Sequence, residues 1–167
     1  EAYGRNLNVK STGVLTVSPS STLTITEGVT VDSGGAFTLE NTASLVQIND
    51  NADAGNIKVK VNTKPMRRYD YTYWSSPVSA QQLQALSPLT LSDKYFSWNP
   101  TTQSWLLHPS GNVTMANAKG YIVRAPQNFQ INTPAVYNAE FNGVPHNGPV
   151  SINVLGNSST VPANYQW

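Results

Sequence analysis

Groups able to do acid–base or metal chemistry are sparse in this chain: 167 residues hold two histidines, nine carboxylates and ten cations, with no cysteine. His108 precedes Pro109, and His146 sits in the run Val144-Pro145-His146-Asn147-Gly148. A metal site or a serine triad needs imidazoles that converge with carboxylates, and neither spacing suggests convergence. Both read as loop histidines. Ser75-Ser76 lacks the glycines of a nucleophile elbow. Glycoside hydrolysis needs two carboxyl groups flanking one sugar bond, yet the acids nearest the aromatic region, Asp70, Asp93 and Glu140, stand apart in sequence. The sequence therefore predicts a non-enzymatic protein with no catalytic residue, no metal ligand and no cofactor.

The aromatic residues have more to offer a ligand. Trp105, Trp98 and Trp74, with the tyrosines around them, could supply flat faces on which sugar rings stack while Asn and Gln fix hydroxyls. Burial in a core is the competing use of the same rings. Trp98 and Trp105 flank a turn and are the expected exposed pair, and Trp105 is placed ahead of Trp74 as a ligand contact.

Positioning these side chains falls to strands. Tyr69, Tyr71 and Tyr73 alternate with Asp70, Thr72 and Trp74, which predicts a strand aromatic on both faces and suited to the centre of a sheet, ended by Pro77. Lys94 to Trp98 and Ser104 to His108 flank Asn99-Pro100-Thr101-Thr102-Gln103, the chemistry of a hairpin turn. Further strands are expected at 120–125, 129–131, 135–141 and 150–155, an antiparallel rhythm punctuated by Pro, Gly and Asn. One short helix is proposed at 79–86, with Ser79 as cap and Gln82 at the capping-box position, against an irregular loop as the alternative.

The first third of the chain repeats. Triplets with two apolar residues recur at Leu7-Asn8-Val9, Leu15-Thr16-Val17, Leu23-Thr24-Ile25, Val29-Thr30-Val31, Phe37-Thr38-Leu39 and Leu45-Val46-Gln47. A shift of about 22 residues lays Leu7 on Val29, Leu15 on Phe37, Leu23 on Leu45 and Gly13 on Gly35. Three short strands per repeat predict rungs of a parallel β-helix, with Thr16, Thr24, Thr30 and Thr38 outward; an antiparallel meander is the alternative. Only two rungs are visible, so further rungs before Glu1 or a cap supplied by the later residues are expected. Residues 49–56 carry Asn and Asp, but their glycine and alanines fall at the wrong places for an EF-hand loop. They read as a polar turn. Ile57, Val59 and Val61 alternate with Lys58 and Lys60, a half-buried strand. The fold class expected is thus all-β: short parallel β-helix (solenoid) rungs over 1–55, then an antiparallel β-sandwich over 56–167.

Composition agrees with strands and turns, since charged residues are only 11% of the chain. A net charge of +1 offers no general field for nucleic acid, and no apolar run is long enough to insert in a bilayer. The abrupt start and stop suggest a piece of a longer polypeptide.

Four segments in order, Tyr71-Thr72-Tyr73-Trp74-Ser75-Ser76-Pro77-Val78, Tyr95-Phe96-Ser97-Trp98-Asn99, Lys119-Gly120-Tyr121-Ile122-Val123-Arg124-Ala125-Pro126 and Phe141-Asn142-Gly143-Val144-Pro145-His146-Asn147-Gly148, resemble a module of large secreted surface proteins of Flavobacterium-type Bacteroidota. Ala118 and His146 depart from that pattern, where glycine and asparagine are expected. The resemblance implies a segment of a type IX secretion substrate at the bacterial cell surface, associated with gliding motility or adhesion. It also implies as partners other segments of the same long chain, surface glycans or the secretion machinery, without nucleic acid or direct membrane insertion. A carbohydrate-binding module of a polysaccharide-active protein is the rival function.

Overall fold

A computed structural model describes residues 1–153, 155 and 156. Among these the protein is all-β, with thirteen strands, one four-residue helix and one 3-10 turn. Seven short strands come first: β1 (Ala2–Gly4), β2 (Leu7–Val9), β3 (Val14–Val17), β4 (Thr22–Ile25), β5 (Val29–Val31), β6 (Ala36–Leu39) and β7 (Ser44–Gln47). They pair in parallel as β2 with β5, β3 with β6, and β4 with both β1 and β7. Leu7 faces Val29, Leu15 faces Phe37 and Leu23 faces Leu45, the register that the repeat predicts. These ladders belong to three separate sheets, ordered β1-β4-β7, β2-β5 and, with β8 (Ile57–Asn62) and β13 (Asn138–Gly143) added beyond β6, β13-β8-β6-β3.

The turns repeat with the strands. Thr12 and Gly34 both take positive φ, as do Ser20 and Thr42, and Thr42 Oγ1 accepts from the Ser20 amide at 3.0 Å, 22 residues away in sequence. Gly13 and Gly35 occupy the following position of their turn, where an added Cβ would lie 2.9 Å from Lys10 O and 2.8 Å from Val9 O respectively. A side chain would therefore collide with backbone at both. Val9, Val17, Ile25, Val29, Val31, Phe37 and Leu39 are buried, Thr16 is exposed, and Thr24, Thr30 and Thr38 are half-buried. Arg5 pairs with Glu27 at 3.9 Å and Lys10 with Asp32 at 3.3 Å, so surface charges are also matched one repeat apart. Such exposed pairs add only about 0–1 kcal/mol each.

β8 (Ile57–Asn62) changes the pairing mode. It runs parallel to β6 through Thr38–Lys58 and Leu39–Val59, and antiparallel to β13 (Asn138–Gly143) on its other side. The sheet thus crosses the expected boundary at residue 55, and so does the apolar core, which runs from Val9, Phe37 and Leu39 through Ile57 and Phe141 to Trp74, Val78 and Leu83. In the segment 49–56, the Asp53 carboxylate accepts from the Val29 amide and the Gln47 amide group, while the Asn147 side chain donates to Asn49 O and Asn51 O. The segment is a polar turn that ties strands to the later loop. No group of three or more His, Asp or Glu able to hold a metal occurs among the described residues.

The fourth sheet is antiparallel, ordered β11-β10-β12-β9, from β9 (Tyr71–Trp74), β10 (Tyr95–Asn99), β11 (Ser104–Leu107) and β12 (Tyr121–Arg124). The aromatic strand departs from expectation: it occupies an edge, not the centre, and starts at Tyr71. Asp70 Oδ2 accepts from the Arg67 amide and the Asp70 amide donates to Arg67 O, a closed turn that removes Tyr69 and Asp70 from the strand. The helix α1 is also shorter, Leu83–Leu86. Gln82 rather than Ser79 is its N-cap, without a side-chain cap bond, because the Gln82 side-chain Nε2 donates instead to Thr114 Oγ1 at 2.7 Å. At the other end the Tyr137 hydroxyl donates to Leu86 O and the Tyr95 hydroxyl to Ser87 O, satisfying carbonyls that a helix terminus leaves open.

Two expected strands are not formed among the described residues. Phe129–Ile131 lies in bends, with the Phe129 amide closing a turn onto Pro126 O and its ring 6.0 Å from Tyr137. Residues 150–153 and 155 lie in no strand, and residue 154 is outside the described set, as are Asn157–Trp167. The expected strand at 135–141 begins at Asn138, with Ala135 reduced to an isolated bridge to Met66.

Candidate functional site: an outward aromatic sheet face

Alternation along the antiparallel sheet divides its residues between two faces. Tyr95, Ser97, Tyr121, Val123 and Trp74 point inward and are buried. The opposite face carries Tyr71, Tyr73, Phe96, Trp98, Trp105, Leu107 and Ile122. Register makes them neighbours: Tyr73 opposes Ile122, Ile122 opposes Phe96, Phe96 opposes Leu107, and Trp98 opposes Trp105. The two indoles meet edge to face with centroids 5.2 Å apart, and Tyr71 tilts against Phe96 at 6.4 Å. Tyr73 is 71% exposed, Trp105 47% and Trp98 46%.

Two grooves run over this face. One of ≈ 630 Å³ passes Tyr73, Trp98, Pro100, Trp105 and Lys119, and one of ≈ 300 Å³ is walled by Tyr71, Phe96, Trp105 and Ile122. Asn117 and Asn153 add amide groups to the larger one. Lys64 stands in a third groove, of ≈ 400 Å³, along the β9 edge beside Tyr71 and Tyr73.

The three tryptophans singled out from sequence thus separate. Trp98 and Trp105 form one exposed pair on the hairpin. Trp74 is 8% exposed and packs edge to face on Phe141 at 5.9 Å, so it serves chiefly as a core side chain and lends little surface to a ligand. Sequence reasoning missed Tyr73, Phe96 and Ile122 as parts of the face. Period-two alternation placed Tyr71 and Tyr73 on one side but did not reveal that, among the described residues, no sheet or helix packs on that side.

Of the titratable groups singled out from sequence, His108 and the three acids have structural partners, whereas His146 Nε2 is buried without one. Ser97 Oγ and His108 Nε2 lie 2.8 Å apart, but Ser97 is fully buried, and the contact ties β10 to the end of the hairpin. Burial pushes the His108 pKa below its ordinary 6.5, and nearby Lys119 adds to the effect. Asp70 closes its turn, Asp93 pairs with Lys94, and Glu140 pairs with Lys58 at 3.1 Å on the other sheet. None of these three acids lines the two grooves over the tryptophan pair.

Among the described residues, fold and face together define an all-β domain with one aromatic sheet face exposed. The chain belongs to a family described as a domain of unknown function (DUF8693), whose family model matches residues 1–166. No curated protein and no solved structure matches it.

Proposed function

We propose that this domain is a non-enzymatic adhesive segment of a large secreted bacterial cell-surface protein, with the outward aromatic face as its attachment surface. In this reading residues 1–55 are rungs of a parallel β-helix and residues 56–167 a β-sandwich. The register repeated across β2–β5, β3–β6 and β4–β7 supports the rungs. The Trp74–Phe141 contact between the antiparallel sheet and β13 supports the sandwich. Export through the type IX secretion system and a surface location belong to the same proposal and rest on the resemblance of the four segments around β9, β10, β12 and β13.

The observation that carries the reading is the contiguous exposure of Tyr73, Trp98 and Trp105 on one sheet face. Exposed apolar patches of this kind mark interaction surfaces, because leaving such rings in water forfeits about 1.5–3 kcal/mol per fully buried large side chain. A carbohydrate-binding module is the second reading, favoured by the groove that combines indole and phenol rings with Asn117 and Asn153. Beads coated with the domain test both readings on polysaccharide-coated and bare surfaces. Retention on polysaccharide, lost in the W98A/W105A double variant, is the expected result. Equal retention of wild type and double variant would contradict an aromatic attachment surface.

A further inference from the structure

The net charge of +1 conceals a strong segregation. Residues 64–124, which supply all four strands of the antiparallel sheet, hold six cations (Lys64, Arg67, Arg68, Lys94, Lys119, Arg124) against two acids, Asp70 and Asp93. The rest of the chain holds four cations against seven acids. All four of those cations are paired: Arg5–Glu27, Lys10–Asp32, Lys58–Glu140 and Lys60–Glu40. Within 64–124 only Lys94 has a carboxylate partner among the described residues. The uncompensated positive charge therefore gathers in the half that carries the exposed aromatic face.

Its placement is specific. Tyr73, the most exposed ring of the face, is a common wall of the groove that holds Lys119 and the groove that holds Lys64, where Asp70 also lies with its carboxylate turned to the Arg67 amide. Lys119 shares its groove with Trp98 and Trp105, and its ammonium lies 5.7 Å from the Tyr121 ring centroid. At the far end of the sheet Arg124 opposes Tyr71 in register. Its guanidinium lies beneath the Tyr69 ring at 5.6 Å and donates to Gln127 Oε1 at 2.7 Å, but at 7% exposure it is buried and adds to the field of the sheet rather than to a ligand contact. An unpaired cation beside an exposed ring attracts a ligand that offers both an apolar face and a negative charge.

We propose that this face binds an anionic polysaccharide, a chain of uronate or sulfated sugars, whose rings pack on Tyr73 and Trp105 and whose acid groups meet Lys119 and Lys64. The inference rests on the attachment reading above and adds to it the charge of the ligand. A nucleic acid strand is the poorer fit, because it needs a cation track along its phosphates. Here phenol, indole and amide groups lie between two separated lysines.

The test measures binding of the full 167-residue domain to polygalacturonate, dextran sulfate, uncharged dextran and a single-stranded oligonucleotide, for wild type, K64Q/K119Q, W105A and a K10Q/K58Q control. Polygalacturonate or dextran sulfate should bind at least about tenfold tighter than dextran, more weakly as salt rises. K64Q/K119Q and W105A should each lose about tenfold or more, and K10Q/K58Q should match wild type. Binding of dextran sulfate alone would support the proposal and identify the acid as sulfate. Equal binding of charged and uncharged dextran, sensitive to W105A but not to K64Q/K119Q, would overturn the inference and leave attachment standing. No binding to any polysaccharide would overturn both. Tighter binding of the oligonucleotide, or equal loss in K10Q/K58Q, would overturn the anionic-sugar assignment.

Discussion

Single side chains of one type carry opposite duties in this fold. Trp74, buried on Phe141, should cost about 3–5 kcal/mol when changed to Ala, as large aromatic truncations in cores do. Trp105 to Ala should cost roughly 1 kcal/mol or less, since almost half its surface already meets water. Urea denaturation of both variants checks the contrast. His108 supplies a pH test: its pKa is depressed in the fold, so the unfolded chain binds the proton more readily. Stability should be complete above the ordinary value of 6.5, fall as pH drops below it, and level off beneath the folded value. In H108Q this contribution should be absent from the difference between pH 7.5 and pH 5.5, measured by thermal melts.

Among the elements, the link from the parallel strands to β8 is the most constrained. Gly55 has φ +80, and a Cβ there would lie 2.0 Å from Val31 O, so G55A should destabilise by about 1–3 kcal/mol or more. G120A, with nothing within 4 Å of the added carbon, should change stability by less than about 0.5 kcal/mol. Denaturant midpoints of the two glycine variants decide this. The repeat strands and the hairpin were legible because their signals are local: Leu7, Leu15 and Leu23 recur one repeat later, and Asn99-Pro100 marks its turn. The place of β9 was not, since centre and edge strands can share one alternation and only β12 pairing on a single side distinguishes them. Phe129–Ile131 and 150–153 show the converse: apolar residues make no strand without a partner to complete a ladder.

For the molecule as a whole, the β6–β8 ladder joins segments that the end of the sequence repeat divides at residue 55. A core shared by Phe37, Ile57, Phe141 and Trp74 should make unfolding one cooperative transition, coincident by circular dichroism and tryptophan fluorescence. Two separated transitions would show the parallel and antiparallel halves to be independent units. The Trp98–Trp105 exposure was legible from their place beside a turn, whereas the whole face was not, because Tyr73, Ile122 and Phe96 come from three strands brought together by tertiary pairing. The gathering of unpaired cations around them was hidden for the same reason. Partners such as Lys58 and Glu140 lie far apart in sequence.

The attachment surface can be mapped directly from the indole N–H resonances of the intact domain, titrated with a polysaccharide fragment that it retains. Trp98 and Trp105 should shift together and saturate with the binding curve while Trp74 stays in place. A saturating titration that leaves Trp98 and Trp105 unmoved would contradict the account.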